Sequence, residues 1–168
     1  LSEGKLLKKL AYEKECLLSV FHNRRWDSDF LTVKALLEAG TLGRLVNFES
    51  HFDRFRPEVR DRWREKATPG GGIWYDLGPH LLDQACELFG MPQAILLELD
   101  ALRDDSQADD DFLVLLDYEG FRVTLAAGTL VADPTPRFRI HGTQGSFVKY
   151  GLDPQEDRLK AGEVPAPQ

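Results

Sequence analysis

Cysteine is scarce in this sequence: Cys16 and Cys86 are the only two in 168 residues. Two distant cysteines, each in an apolar context, make neither a disulfide framework nor a metal site. They read as reduced core residues of a cytoplasmic protein. No apolar run reaches the length of a transmembrane helix, and no signal peptide is recognisable, so no membrane partner is expected. Basic charge is not in excess either. Lys and Arg total 21 against 28 Asp and Glu, a formal net charge of −7, which argues against a nucleic-acid partner. A Gly-x-Gly-x-x-Gly phosphate cradle is missing, as are internal repeats and low-complexity tracts. The acidic loop Asp104–Asp111 lacks the carboxylate spacing of a calcium loop, so no metal is expected.

What is present is enough for a core. Hydrophobic residues make up 42% and charged residues 29%, the balance of a globular domain. The stretch that organises the chain is Pro69 to Gly90. It opens on Gly70, Gly71 and Gly72, where the backbone can turn sharply or approach a ligand closely. It continues in a helix pattern, with Leu81, Leu82, Ala85, Leu88 and Phe89 on one face. Pro79 suits the first helical position and Gly90 the residue past the end. Asp76 and His80 stand at the mouth of this helix. A carboxylate and an imidazole there are suited to moving a proton. The same two residues also suit a helix cap and a first-turn structural histidine, and both roles are open at this point.

Around this centre the chain alternates in character. Ser2 to about Lys14 has an amphipathic helix pattern, and Cys16 to His22 an apolar strand pattern. The chain begins within the first pattern and ends in a polar tail, Glu163–Gln168, and so reads as a piece of a longer protein. His22-Asn23-Arg24-Arg25 stands at the end of that predicted strand, where ligand groups sit in open α/β sheets. A helix capped by Asp27 or Ser28 follows, stopped at Gly40. Arg44–Phe55 alternates as a half-buried strand of an antiparallel sheet, with Val46, Phe48, Ser50 and Phe52 on one side. Arg56–Thr68 is charged and irregular, a lid or a surface loop. Trp63, at its centre, is a candidate substrate contact. Arginines at 24, 25, 54, 56, 60, 62 and 64 suit a small anionic or polyhydroxyl ligand, or simply a solvated face. Ala94–Leu102, Phe112–Leu116 with Phe121–Val131, and Arg137–His141 with Ser146–Tyr150 are predicted strands, the last two pairs as hairpins. The order implies an α+β fold: a largely antiparallel open sheet with helices on one face. Its other face has no cover in this chain, which predicts a homodimer or higher homo-oligomer through that face.

Three segments resemble one family. Gly70-Gly71-Gly72 through Asp76-Leu77-Gly78-Pro79-His80-Leu81-Leu82-Asp83 resembles the Asp-Gly-x-His-x-x-Asp motif of the glucose–fructose oxidoreductase/inositol dehydrogenase (Gfo/Idh/MocA) family. Arg24-Arg25-Trp26-Asp27 is similar to that family's segment at the exit from the nucleotide domain. Ile140-His141-Gly142-Thr143-Gln144-Gly145-Ser146 is similar to its late β-hairpin. The run Phe21–Phe30 most resembles the NADP-dependent scyllo-inositol dehydrogenase-like branch.

The resemblance implies an enzyme with a Rossmann domain for NADP or NAD and an α+β domain carrying much of the substrate site. Residues 1–24 would be the last helix and strand of the Rossmann domain, and 25–168 the substrate and oligomerisation domain. His80 would be the acid/base, Asp76 its carboxylate partner, and Asn23 and Arg24 would line the pocket for a polyol or sugar alcohol. The family's Glu-Lys-Pro motif is absent along with the glycine fingerprint, so most of the cofactor site lies outside this chain. The isolated chain is therefore expected to be inactive. The competing expectation is a non-catalytic sugar-binding or oligomerisation module of the same fold.

Overall fold

The computed structural model describes residues 2–133 and 135–163. The expected tail over Glu163–Gln168 lies outside these, apart from its first residue. Among these described residues are four α-helices: α1 (Ser2–Glu13), α2 (Ser28–Glu38), α3 (Ile73–Phe89) and α4 (Pro154–Lys160). Six strands form one open sheet: β1 (Leu45–His51), β2 (Ala94–Asp100), β3 (Asp111–Tyr118), β4 (Phe121–Gly128), β5 (Phe138–Gly142) and β6 (Ser146–Lys149). Their order across the sheet is β2-β3-β4-β1-β5-β6.

The sheet is largely antiparallel, as the run of consecutive strands predicts. The exception is β1, which runs antiparallel to β5 but parallel to β4. The expectation of a strand in an antiparallel sheet holds for β1 on its β5 side, and its β4 side is parallel. The alternation along β1 reports a buried face, not the direction of its neighbours. The β3–β4 hairpin pairs Tyr118 with Phe121, leaving Glu119-Gly120 as the turn. Gly120 supplies the positive φ, +84°, that so short a turn requires.

One face of the sheet carries the core. Phe112, Val114 and Leu116 of β3, Val123 and Leu125 of β4, Phe48 of β1 and Phe138 and Ile140 of β5 are all buried. They meet Phe30 and Val33 of α2 and Leu77, Leu81 and Ala85 of α3. The period-2 pattern of the strands thus closes on the period-3.6 pattern of two helices. Among the described residues no helix lies on the opposite face; Leu96 and Leu115 stay 52% and 37% exposed there.

Three sequence expectations are corrected. The predicted strand over Cys16–His22 does not form; Leu17, Leu18, Val20 and Phe21 are exposed, because no strand among the described residues pairs with that run, and a strand without a partner is not stable alone. Cys16 is likewise exposed rather than in a core. The central helix begins at Ile73, six residues before Pro79, which lies inside it. Ile73 and Leu77 extend the apolar face upstream, and the N-terminus is held from a distance. Ile73 N–H donates to the Asp109 carbonyl, and Trp74 N–H to Asp109 Oδ2 at 2.7 Å. No local cap was there to mark it.

The glycines before α3 serve this packing. Gly72 has φ +94°, and a Cβ there would lie 2.0 Å from Asp109 Oδ1. Close approach is thus to the chain's own loop. The N–H groups of Gly71 and Gly72 are engaged by the carbonyls of Thr68 and Arg64. At α2 the cap also comes from afar. The Asp27 side chain makes no cap bond; instead Asp153 accepts from Ser28 N–H at 2.7 Å and from Ser28 Oγ at 2.9 Å. Asp153 caps α4 as well, accepting from Gln155 N–H. Helix α4 was not expected, although Asp153-Pro154 followed by Glu156 and Asp157 is a start signal for one.

Candidate active site

Because the helix starts at Ile73, Asp76 and His80 are four residues apart within it and share a face. Asp83 follows one turn later, so α3 presents Asp76, His80 and Asp83 as a ridge. Regular helix geometry sets the pair on one face, where the sequence reading places them at the mouth of a helix starting at Pro79. Each residue of the ridge is engaged differently. Arg64 Nε lies 3.2 Å from Asp76 Oδ1. Asp83 accepts two hydrogen bonds from Arg25, each 2.7 Å, and His22 Nε2 is 3.9 Å from its Oδ1.

His80 stands between them. Its ring meets that of His22 edge to face, centroids 6.4 Å apart. Its Nδ1 is buried and has no hydrogen-bond partner among the described residues. Burial lowers its pKa below the ordinary histidine value, and the positive charge of Arg24, with the His22 ring beside it, lowers it further. Asp76 and Asp83 pull the other way without prevailing. A neutral imidazole at ordinary pH is the form that can accept a proton.

The loop opposite the ridge is a short 3-10 turn, Asn23–Trp26. Gln84 of α3 holds it from below, its amide donating to the Arg24 carbonyl at 2.8 Å. The Arg24 guanidinium donates to Asp27 at 3.2 Å and to Glu156 of α4 at 3.0 Å, and it lies over the Phe52 ring. Arg24 is close enough for its charge to act on His80. Asn23 lines a groove with Phe21, Trp26 and Glu156 against α4. Trp63, on the turn Trp63–Glu65, is 57% exposed, with the Arg64 guanidinium stacked on it 4.9 Å from the ring centroid. The structure thus gathers His80, Asp76 and Arg24, and connects Trp63 to them through Arg64.

Sequence reasoning placed His22 and Asp83 within its motifs without giving either a role, and missed Gln84. Asp83 was recoverable from the three-residue spacing after His80. Gln84 was not, since its role depends on a loop 60 residues away.

The chain's own residues make no dinucleotide cradle among those described. Gly70–Gly72 follow a loop, and the N–H groups of Gly71 and Gly72 are engaged by backbone. What fits a nicotinamide enzyme is the proton-handling half of the chemistry: a neutral histidine with an unpartnered buried nitrogen, beside carboxylates and cations. No group of three or more His, Cys, Asp or Glu suited to a metal occurs among the described residues. None of the described helices is long and apolar enough to cross a membrane.

Known proteins share this arrangement of chain. The oxidoreductase YdgJ of Escherichia coli, itself uncharacterized, is 58% identical over 163 residues, covering 97% of this chain and 47% of YdgJ. The scyllo-inositol 2-dehydrogenase (NADP(+)) IolW of Bacillus subtilis is 47% identical, covering 97% of this chain and 46% of IolW. A solved oxidoreductase structure from Yersinia pestis superimposes with a TM-score of 0.86 at 58% identity, over 98% of this chain and 47% of that one. The chain thus spans about half the length of the curated relatives it matches. Residues 30–148 match the GFO/IDH/MocA C-terminal domain, and with the relatives named oxidoreductases and dehydrogenases this shows that the chain belongs to the Gfo/Idh/MocA oxidoreductase family.

Proposed function

We propose that this chain supplies the substrate domain of an NADP- or NAD-dependent dehydrogenase that oxidises the alcohol of a polyol or sugar, with His80 as the acid/base. The single observation that carries the reading is His80 itself: half-buried, held neutral by its surroundings, with a buried Nδ1 lacking a partner. A buried unpaired ring nitrogen costs free energy, and a partner brought by the remainder of the full-length enzyme or by its ligands would relieve it.

The chemistry separates into two parts. Alcohol oxidation removes a hydride from the carbinol carbon and a proton from its oxygen; the nicotinamide, when bound, accepts the hydride. His80 takes the proton. Asp76 and Asp83 stabilise the imidazolium that results, while Arg24 and His22 limit how strongly it holds the proton. Arg24, with Asn23 and Trp63, contacts substrate oxygens.

Residues 1–24 belong, on this reading, to the nucleotide-binding domain. Leu6, Leu7 and Leu10 of α1 and Leu17, Val20 and Phe21 beyond it are exposed apolar surface of the kind a packed neighbour covers. The uncovered sheet face pairs with a second copy. Both cysteines are free, in keeping with a cytoplasmic setting.

The test is nicotinamide reduction by the full-length protein, monitored by absorbance, with scyllo-inositol, myo-inositol and common hexoses as substrates and with NADP and NAD in turn. Turnover that His80→Ala abolishes supports the reading. Wild-type protein that binds such sugars and turns none over with either nucleotide supports the non-catalytic module instead.

A further inference from the structure

A second feature adjoins Asp76. A small cavity of about 40 Å³ is lined by Arg54, Arg56, Arg62, Arg64 and Arg103 with Asp76 and Thr129. Five guanidinium groups converge there, and their partners can be counted. Arg103 is buried and donates to Asp110 at 2.9 Å and to Glu65 at 3.1 Å. It also donates to the carbonyls of Arg56 and Glu58, fixing that loop. Arg62 pairs with Glu65 and Arg64 with Asp76. Asp109 is engaged by the start of α3.

Every carboxylate lining the cavity is thereby occupied. Arg54 and Arg56 make no side-chain ion pair or hydrogen bond among the described residues, although both are half-buried. Burial and the neighbouring Arg56 push the Arg54 pKa down, with Asp76 only partly offsetting them. Thr129 is 8% exposed and its Oγ1 is buried without a partner. Two unmatched cations and one unmatched hydroxyl therefore face the same small space. Unpaired buried charge is costly, and here the two like charges also repel.

We infer that Arg54, Arg56 and Thr129 form a subsite for an anionic group of the substrate, a carboxylate or a phosphate, so that the alcohol oxidised belongs to an acidic sugar or polyol. The inference rests on the dehydrogenase reading above and extends it. Asp76 lines the cavity one helical turn before His80, about 6 Å along α3. An acidic group seated on the arginines would place a hydroxyl elsewhere on the same small molecule at His80. The cavity volume accommodates one such group but not a whole sugar. Its ring would lie in the open cleft, and the bound anion would complete the pairing of Arg54 and Arg56.

The experiment compares kcat/KM of the full-length enzyme for glucose, glucuronate and glucose 6-phosphate, in wild type and in Arg54→Gln and Arg56→Gln. It adds thermal shift by acetate and by inorganic phosphate. The expected result is a preference for one acidic substrate over glucose. That preference should fall by roughly tenfold to a hundredfold in each variant, as loss of one charge-assisted hydrogen bond requires. Glucuronate favoured identifies a carboxylate site; glucose 6-phosphate favoured identifies a phosphate site. Turnover of glucose or inositols at equal or better kcat/KM than either acid, unchanged in ratio by both variants, overturns the inference and leaves the dehydrogenase standing. Anion-induced stabilisation that disappears in Arg54→Gln, without turnover of any substrate, keeps the anion subsite and removes the dehydrogenase.

Discussion

Arg25 and Asp83 meet at two points, Nε to Oδ2 and Nη2 to Oδ1, both 2.7 Å, across 58 residues of chain. This fork ties the Asn23–Trp26 turn to the same helix that carries His80. Arg25 also reaches Glu87 at 3.3 Å, and Lys34 of α2 joins there at 2.9 Å. The pair holds Asp83 ionised below the ordinary carboxylate range. Position, more than stability, is what such a pair provides near the surface. Asp83→Ala should therefore speed amide hydrogen exchange across residues 22–26 and raise KM several-fold, with α3 itself still protected. Unchanged exchange in that turn would show that the Gln84 bond to Arg24 suffices to hold it.

Beneath the site lies Arg137, whose pKa burial lowers to about 10. Its guanidinium donates to Gln84 at 2.8 Å and to Ser50, and it stacks between the rings of Phe52 and Phe138. Asp29, also buried, lies 3.9 Å from its Nε. Lys149 Nζ is nearer still to Asp29, at 3.7 Å, so removing Arg137 leaves that carboxylate a cation but strands the buried Ser50 and Gln84 oxygens. Arg137→Met should cost about 2–5 kcal/mol in urea unfolding, from two unsatisfied acceptors at about 1–3 kcal/mol each. The double variant Asp29→Asn with Arg137→Met should cost less than the two single effects added together. Additive losses would mean that the two charges do not interact.

The sheet and its hairpins were legible because alternation is local: each strand of the β3–β4 and β5–β6 pairs announces its own buried face. The α+β class follows from that. The start of α3 was not legible, since its cap is Asp109, more than thirty residues downstream, while Gly78-Pro79 imitates a local start. The strand expected over Cys16–His22 fails for a related reason: apolar content shows that a run seeks burial, not what will bury it. At the site, Asp76 and His80 were readable from motif and chemistry. The unpartnered Thr129 hydroxyl and the Gln84 tether were not, because both depend on contacts made only in the folded chain.

Self-association should run through the uncovered sheet face. Leu96 and Leu115 are register partners on adjacent strands and expose apolar surface beside Leu113. A charge placed there would have to be desolvated in an isologous contact. Leu115→Arg in the full-length protein should shift the mass seen by light scattering from oligomer toward monomer, with the thermal midpoint of the domain fold little changed. A wild-type protein that is monomeric at high concentration would refute the assignment of this face.

The pH dependence of turnover tests the centre of the proposal. His80 must be neutral to take a proton, so kcat/KM for oxidation should fall as pH drops through its pKa. Burial, the charge of Arg24 and the neighbouring His22 ring set that pKa below the ordinary value of about 6.5, so the acid limb should lie below it too. Signs follow for two variants of the full-length enzyme. Arg24→Gln removes a positive charge that disfavours the imidazolium, so the limb should move to higher pH. Asp76→Asn removes a negative charge that favours it, so the limb should move to lower pH. His80→Ala should lower the chemical step by about two orders of magnitude or more and abolish the limb. A merely structural His80 would lose stability on substitution but leave the position of the limb indifferent to both neighbours. Movement in opposite directions by Arg24→Gln and Asp76→Asn is what only a titrating His80 produces. A rate within about twofold of wild type in His80→Ala would remove it from the chemistry altogether.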